Sequence, residues 1–162
     1  YESSRRFMSV EAGDLAPDFD LPTNGGGSVK LSDLRGKKVV LFFYSKALTS
    51  GCTKEACGFR DALGDFGDAD TVIIGMSKDE VKKLDKFVEK EALTYALASD
   101  FEQSTCADYG VWQEKSMYGK TYMGIVRSTF LIDREGKIAT AWRKVKVPGH
   151  VEAVLSAAQE LS

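Results

Sequence analysis

The chain has 162 residues, 43% hydrophobic and 28% charged, proportions that describe one globular domain with a substantial core and disfavour a second. Its 22 basic and 24 acidic residues, a formal charge of −2, are spread along the chain, so there is no basic stripe to hold nucleic-acid phosphates or anionic lipid. No apolar run approaches the ~20 residues that cross a bilayer, and the opening YESSRRFMSVEAGD lacks the apolar centre of a secretory signal; a soluble protein with neither nucleic-acid nor membrane partners is expected. Residues 1–7 read as an N-terminal extension, an expression remnant or the stub of a removed targeting segment, and residues 8–162 as the domain. Three cysteines, an odd number in a chain that needs no staples, fit the cytoplasm or another reducing compartment.

From Phe19 to Leu31, short extended stretches flank PTNGGGS, a turn whose glycines and Asn tolerate positive φ. A phosphate loop is the other reading of three glycines, but the Walker lysine is missing and no helix follows. KKVVLFFYS, residues 37–45, is a run of β-branched and aromatic side chains, the pattern of a strand buried on both faces. After Cys52, positions Ala56, Phe59, Leu63 and Phe66 recur at intervals of three or four, which predicts an amphipathic helix beginning near Ser50 with Thr49 or Ser50 as its N-cap. TVIIGMS, residues 71–77, repeats the buried-strand pattern. The following DEVKKLDKFVEKEAL places Val81, Leu84 and Val88 on one helical face behind an acidic first turn, and its charged face reads as solvated. A short strand near Tyr95 to Ala98 and a brief helix near Gln103 to Tyr109 come next. STFLIDREGKIATAW then reads as two strands joined at Arg134-Glu135-Gly136, and HVEAVLSAAQEL as a closing helix. Strands alternating with helices, then an antiparallel pair, imply an α/β fold with a mixed central sheet flanked by helices.

FYSKALTSGCTKEACGFRD, residues 43–61, holds two of the cysteines. The thiolate is the nucleophile, and a free cysteine of pKa ~8.5 is only a few per cent ionised at neutral pH. In the first turn of the predicted helix, Cys52 sits near unpaired backbone N–H groups and the positive end of the helix dipole, both of which favour the anion. Cys57 follows five residues later, and ideal helix geometry sets the two Cα atoms roughly 8.6 Å apart, beyond the ~7 Å a disulfide tolerates. Bonding between them therefore requires the helix to unwind, and the spacing suggests a redox cycle rather than a static staple. Other readings are weaker. The pair could be small buried hydrophobes, the usual fate of a free cysteine. A metal site would have to use the three cysteines and the single His150, with no second close ligand pair. A Cys–His hydrolase would depend on the same His150, which at the start of the last helix reads as a cap or surface residue. No metal and no cofactor are expected.

Taken together, FYSKALTSGCTKEACGFRD and the later GIVRSTFLID, within a stretch running from GDLAPDFDLPTNGG to the last helix, resemble the peroxiredoxins, specifically the peroxiredoxin Q or bacterioferritin comigratory protein group. The combination of T-x-x-C, a second cysteine five on and RSTFLID is specific to it. The resemblance implies a thioredoxin-like fold and a thiol-dependent peroxidase acting on hydrogen peroxide and organic hydroperoxides. It implies that Cys52 attacks the terminal peroxide oxygen and becomes a sulfenic acid, that Thr49 orients the peroxide and contacts the thiolate, and that Arg127 stabilises the thiolate and the polarised O–O bond. It further implies that Cys57 resolves the sulfenic acid as an intramolecular disulfide, which thioredoxin or a similar dithiol reductant reopens. Cys106 matches no functional position and reads as buried structure. With the resolving thiol in the same helix, a monomer is expected. The family pattern Y-P-K-x-x-T-P-G-C has Ser45 and Ser50 at its proline places here; Ser45, Ser50 and Gly51 are the expected pocket residues, Ser45 leaving the site looser and wetter and Ser50 still able to cap the helix. Two other classes share the fold: a thiol–disulfide oxidoreductase, whose usual C-x-x-C is absent, and a silent binding or chaperone-like domain whose pocket the serines have collapsed.

Overall fold

The computed structural model describes residues 10–162, so the expected boundary at residue 8 lies outside the described residues. A small antiparallel pair, β1 (Asp20–Pro22) and β2 (Ser28–Lys30), surrounds the glycine-rich turn and leads into β3 (Lys38–Phe43). Then follow α1 (Ser50–Asp61), α2 (Leu63–Asp68), β4 (Thr71–Ser77), α3 (Val81–Glu91), β5 (Ala96–Ser99), α4 (Thr105–Asp108), β6 (Trp112–Met117), β7 (Lys120–Ile125), β8 (Ser128–Ile132), β9 (Ile138–Arg143) and α5 (His150–Glu160). The main sheet has the order β5-β4-β3-β8-β9, parallel from β5 to β3 and antiparallel from β3 to β9. This is the mixed sheet of a thioredoxin-like fold.

Every residue of β3 is buried, because both faces of the sheet are covered and side chains alternate between them. Val40, Phe42 and Tyr44 pack into one cluster with Phe59 of α1, Phe66 of α2, Leu84 and Phe87 of α3 and Val154 of α5. Val39, Leu41 and Phe43 enter a second cluster with Leu21, Tyr109 and Phe130. Gly75 pairs with Phe42 across the β3–β4 ladder, and a Cβ there would stand 2.8 Å from Phe42 Cζ and 2.7 Å from Leu97 Cδ2. Glycine thus leaves room for the Phe42 ring, which stacks on Phe59 at 4.7 Å between centroids. Truncating a ring so enclosed costs about 3–5 kcal/mol.

The structure departs from the sequence reading in four places. The helix after Cys52 breaks at Ala62, whose ψ of 4° ends α1 and starts α2; Phe59 and Phe66 still join one cluster, so the apolar period runs straight across the break. Asp79 and Glu80 precede α3, leaving no acid in its first turn, and its buried residues are Leu84 and Phe87. The brief helix α4 is four residues long. The hairpin β6–β7 was not anticipated: it is mostly exposed and stands apart from the main sheet, so it lacks the apolar alternation of a half-buried strand. Its turn is Tyr118-Gly119, with φ of 53° and 78°, a primed hairpin turn without the usual Asn-Gly signal.

Candidate active site

Between β3 and α1 the chain turns through residues 44–49. Leu48 adopts φ 69°, a left-handed conformation that costs a non-glycine residue about 1 kcal/mol or more. Asp79 holds this turn in place: its Oδ2 accepts the Ala47 N–H at 2.7 Å and the Ser77 hydroxyl at 2.8 Å. The turn delivers Cys52 as the third residue of α1, fully buried. Arg127, from the link between β7 and β8, donates from Nη2 to Cys52 Sγ at 3.0 Å, and Ser45 Oγ lies 3.5 Å from the same sulfur. Gly51 lies under the guanidinium; a Cβ there would meet Nη2 at 3.2 Å and Nη1 at 3.3 Å.

Burial alone would raise the pKa of Cys52. The hydroxyls of Ser45 and Thr49, the backbone N–H of Lys46 and the charge of Arg127 outweigh it and hold the thiol below its ordinary range. Thr49 occupies the N-cap position without a side-chain bond to the helix; its hydroxyl instead donates to the Lys46 carbonyl at 2.8 Å. Ser50 is the first residue of α1 and is exposed, so it does not cap.

Cys57 is half-buried on the same helix. Its S–H donates to Glu91 Oε1 at 3.5 Å, and Arg60 Nη1 binds the Glu91 carbonyl at 2.6 Å. Burial and the Glu91 carboxylate push this thiol above its ordinary range. Cys106 is buried, and its N–H donates to Asp100 Oδ2 at 2.7 Å; burial and Asp100 raise its pKa far above the ordinary thiol range, which fits an inert structural thiol. All three cysteines are free.

Asp79 and Glu55 at the site escaped the sequence reading, and His150 reads there as a cap or surface residue. His150 is neither a cap nor a surface residue, being 6% exposed. Its Nε2 lies 2.8 Å from Thr129 Oγ1 and 3.9 Å from Glu55 Oε2. Burial, helped by the Arg127 charge and opposed by Glu152, lowers its pKa to about 4, so the imidazole is neutral at pH 7. Glu55 is fully buried, with Oε1 3.5 Å from Arg127 Nε. Burial raises its pKa to about 8; Arg127 offsets this in part and Cys52 adds to it. A signal for Glu55 was present, since it sits on the apolar stripe between Cys52 and Ala56, where an acid is out of place unless it has a partner.

A cavity of about 640 Å³ lies on the other side of Ser45, lined among others by Ser45, Lys46, Trp112, Lys115 and Tyr122. Ser45 is thus in contact both with the cavity and with the sulfur. Among the described residues no group of three or more His, Cys, Asp and Glu is placed to hold a metal ion. The arrangement suits attack by sulfur on an electrophile whose leaving atom gathers negative charge beside a guanidinium.

Comparison with known proteins points the same way. The AhpC/TSA family model matches residues 12–141. The chain is 48% identical over 155 residues to Peroxiredoxin Bcp of Bacillus subtilis, covering 96% of this chain and 99% of that protein. It is 45% identical over 147 residues to Peroxiredoxin Bcp of Escherichia coli, covering 91% and 94%. Among solved structures, Peroxiredoxin Q of Xanthomonas campestris superposes with a TM-score of 0.86 at 41% identity, covering 93% of this chain and 98% of that one. A cysteine-to-serine mutant of PrxQ from Xylella fastidiosa gives 0.87 at 38% identity, covering 91% and 94%.

Proposed function

We propose that this chain, which belongs to the AhpC/TSA family and within it to the peroxiredoxin Q/Bcp group, reduces peroxides with Cys52 as its peroxidatic cysteine. That the chain is a peroxidatic-cysteine peroxidase follows from its family; the assignment of roles to residues is our reading. The observation that carries it is the 3.0 Å bond from Arg127 Nη2 to a buried thiol in the first turn of a helix. The Cys52 thiolate attacks the terminal oxygen of the peroxide, the S–O bond forms as the O–O bond breaks, and the other oxygen leaves as water or alcohol once protonated. Arg127 stabilises the charge on both sulfur and leaving oxygen. The Thr49 hydroxyl, 2.8 Å from the Lys46 carbonyl and facing Cys52, is placed to orient the peroxide against the sulfur. The cavity beyond Ser45, whose hydroxyl lies 3.5 Å from the sulfur, gives the organic part of a hydroperoxide a place next to the site.

Cys57 then attacks the sulfenic sulfur, forming the disulfide and releasing water. Because both cysteines lie in one continuous helix, the first turns of α1 must unwind for this step. A dithiol reductant, thioredoxin by preference, returns the protein to its reduced form by two-electron exchange. Cys57 lies on the same helix as Cys52, so turnover needs no second subunit, which supports a monomer. Three free thiols support a reducing compartment such as the cytoplasm.

One equivalent of peroxide should remove two hydrogens from the intact mass, and peptide mapping should find Cys52 bonded to Cys57. An unchanged mass defeats the peroxidase reading at this site, and a disulfide to Cys106 defeats the role of Cys57. Amides from Gly51 to about Asp61 should lose exchange protection on oxidation and regain it on reduction; equal protection in both states, with the disulfide present, defeats the unwinding step.

A further inference from the structure

Behind the thiol lies a group that the reaction as described leaves unused. Glu55 stands one turn along α1 from Cys52. Its side chain is fully buried, neither carboxyl oxygen has a hydrogen-bond partner, and Arg127 Nε, 3.5 Å from Oε1, has none either. The carboxyl and the guanidinium are close without being aligned. The other groups facing Glu55 are accounted for. His150 from α5 is neutral and bonded to Thr129. Tyr95, just before β5, gives its hydroxyl to the Ala56 carbonyl at 2.7 Å, and burial keeps that hydroxyl un-ionised. Lys115 of β6 interacts with Arg127 and Cys52 rather than with Glu55, and it is partly exposed, so solvent screens its charge. Arg127 is therefore the one cation among these groups in direct contact with both buried acids, Cys52 and Glu55.

Two anions around one buried cation leave a net negative charge out of water, which is unfavourable. Paired acids in such a site avoid this by keeping one proton between them. The donors decide where that proton rests. The sulfur faces Arg127 Nη2 at 3.0 Å and the Ser45 hydroxyl at 3.5 Å, whereas Glu55 faces no aligned donor. This placement of donors favours a thiolate at Cys52 paired with a protonated Glu55 in the reduced protein. The opposite directions in which the site moves the two acids, Cys52 down and Glu55 up to about 8, agree with this.

We propose that Glu55 is the charge-compensating partner of Cys52, holding a proton while Cys52 is a thiolate and releasing it when Cys52 becomes a sulfenic acid, its carboxylate then taking over Arg127. The inference rests on the peroxidase reading of Cys52 above. In the first step thiolate and hydroperoxide give sulfenic acid and an alkoxide or hydroxide: sulfur loses two electrons, the O–O bond takes them, and the leaving oxygen needs one proton. The sulfenic acid is neutral, so Arg127 loses its counter-ion at the moment that proton is consumed. Ionisation of Glu55 supplies one proton equivalent and restores the ion pair, and the buried site carries no net charge before or after. Glu55 acts through Arg127 and does not touch the peroxide; it is a positioning residue.

The proton count tests this. The Cys57→Ser variant halts at the sulfenic acid, whose formation is followed by mass, while a pH indicator in weak buffer reads proton uptake. Near pH 7 this variant should take up close to zero protons per sulfenic acid formed, and Cys57→Ser with Glu55→Gln should take up about one. Uptake in the Cys57→Ser variant should also climb toward about one as the pH passes about 8 and Glu55 ionises before the reaction. Uptake of about one proton at pH 7 by Cys57→Ser alone overturns the proposal without reference to the second variant, and so does equal uptake in the two variants. Failure of Cys57→Ser to form any sulfenic acid overturns instead the peroxidase reading of Cys52.

Discussion

Cys52 and Cys57 stand five residues apart on α1, yet the sulfur of the first faces the Arg127 guanidinium and the Ser45 hydroxyl while the second gives its own proton to Glu91. The same side chain on the same helix is held below its ordinary pKa at one position and above it at the other. Within α1 the position of Cys52 near the helix start favours its anion, while Arg60 and Asp61 act on Cys57 in opposite directions. The cation comes from the link before β8 and the carboxylate from the last residue of α3. The consequence is an ordered pair. One thiol faces a cation that favours its anion, and the other faces a carboxylate that favours its protonated form.

Breaking the reactive half of the pair should have the largest effect. Cys52→Ser should reduce peroxide consumption to that of a buffer control, since an alcohol supplies no anionic nucleophile at neutral pH; activity that survives would place the reactive thiol elsewhere. Breaking the resolving half should abolish turnover but spare the first step. Cys57→Ser should react once with peroxide at the parent rate, then fail to cycle with thioredoxin and accumulate sulfinic acid under excess peroxide, a result that steady turnover in this variant would contradict. Arg127→Ala should slow the first step roughly 10²- to 10³-fold and raise the pKa of Cys52, read from thiolate absorbance against pH. A titration identical to the parent's would remove Arg127 from the mechanism.

The smallest effect sharpens the comparison most. In a Cys52→Ser background, alkylation of Cys57 should be slow at neutral pH and accelerate only as the pH rises past the ordinary thiol range, because the folded pKa is raised by burial and Glu91. Glu91→Gln removes the carboxylate but keeps a hydrogen-bonding amide, and should shift that profile to lower pH with a several-fold gain at neutrality. An unmoved profile would mean that burial alone protects Cys57.

Sequence by itself determined the elements whose side chains report their own burial. β4 appears as read, from Thr71 to Ser77, and β3 and α5 within a few residues, because a strand covered on both faces and a helix with one apolar face write their period into adjacent positions. It also placed Cys52 in the first turn of its helix, and the resemblance supplied Thr49, Cys57 and Arg127 as candidates. What only the tertiary structure decided is the fate of the charged and polar groups. Glu55 sits on an otherwise apolar stripe, and its isolation beside Arg127 exists only because the chain brings together residues as far apart as the 75 positions that separate Arg127 from Cys52. His150 reads as a cap in sequence and is buried against Thr129 in space; Asp79 reads as a helix-start acid and instead pins the turn before the reactive cysteine. An apolar residue gains by leaving water wherever it packs, so its neighbours in sequence are enough to place it. A charge is stable only with a particular partner at a particular distance, and that partner is chosen by the fold.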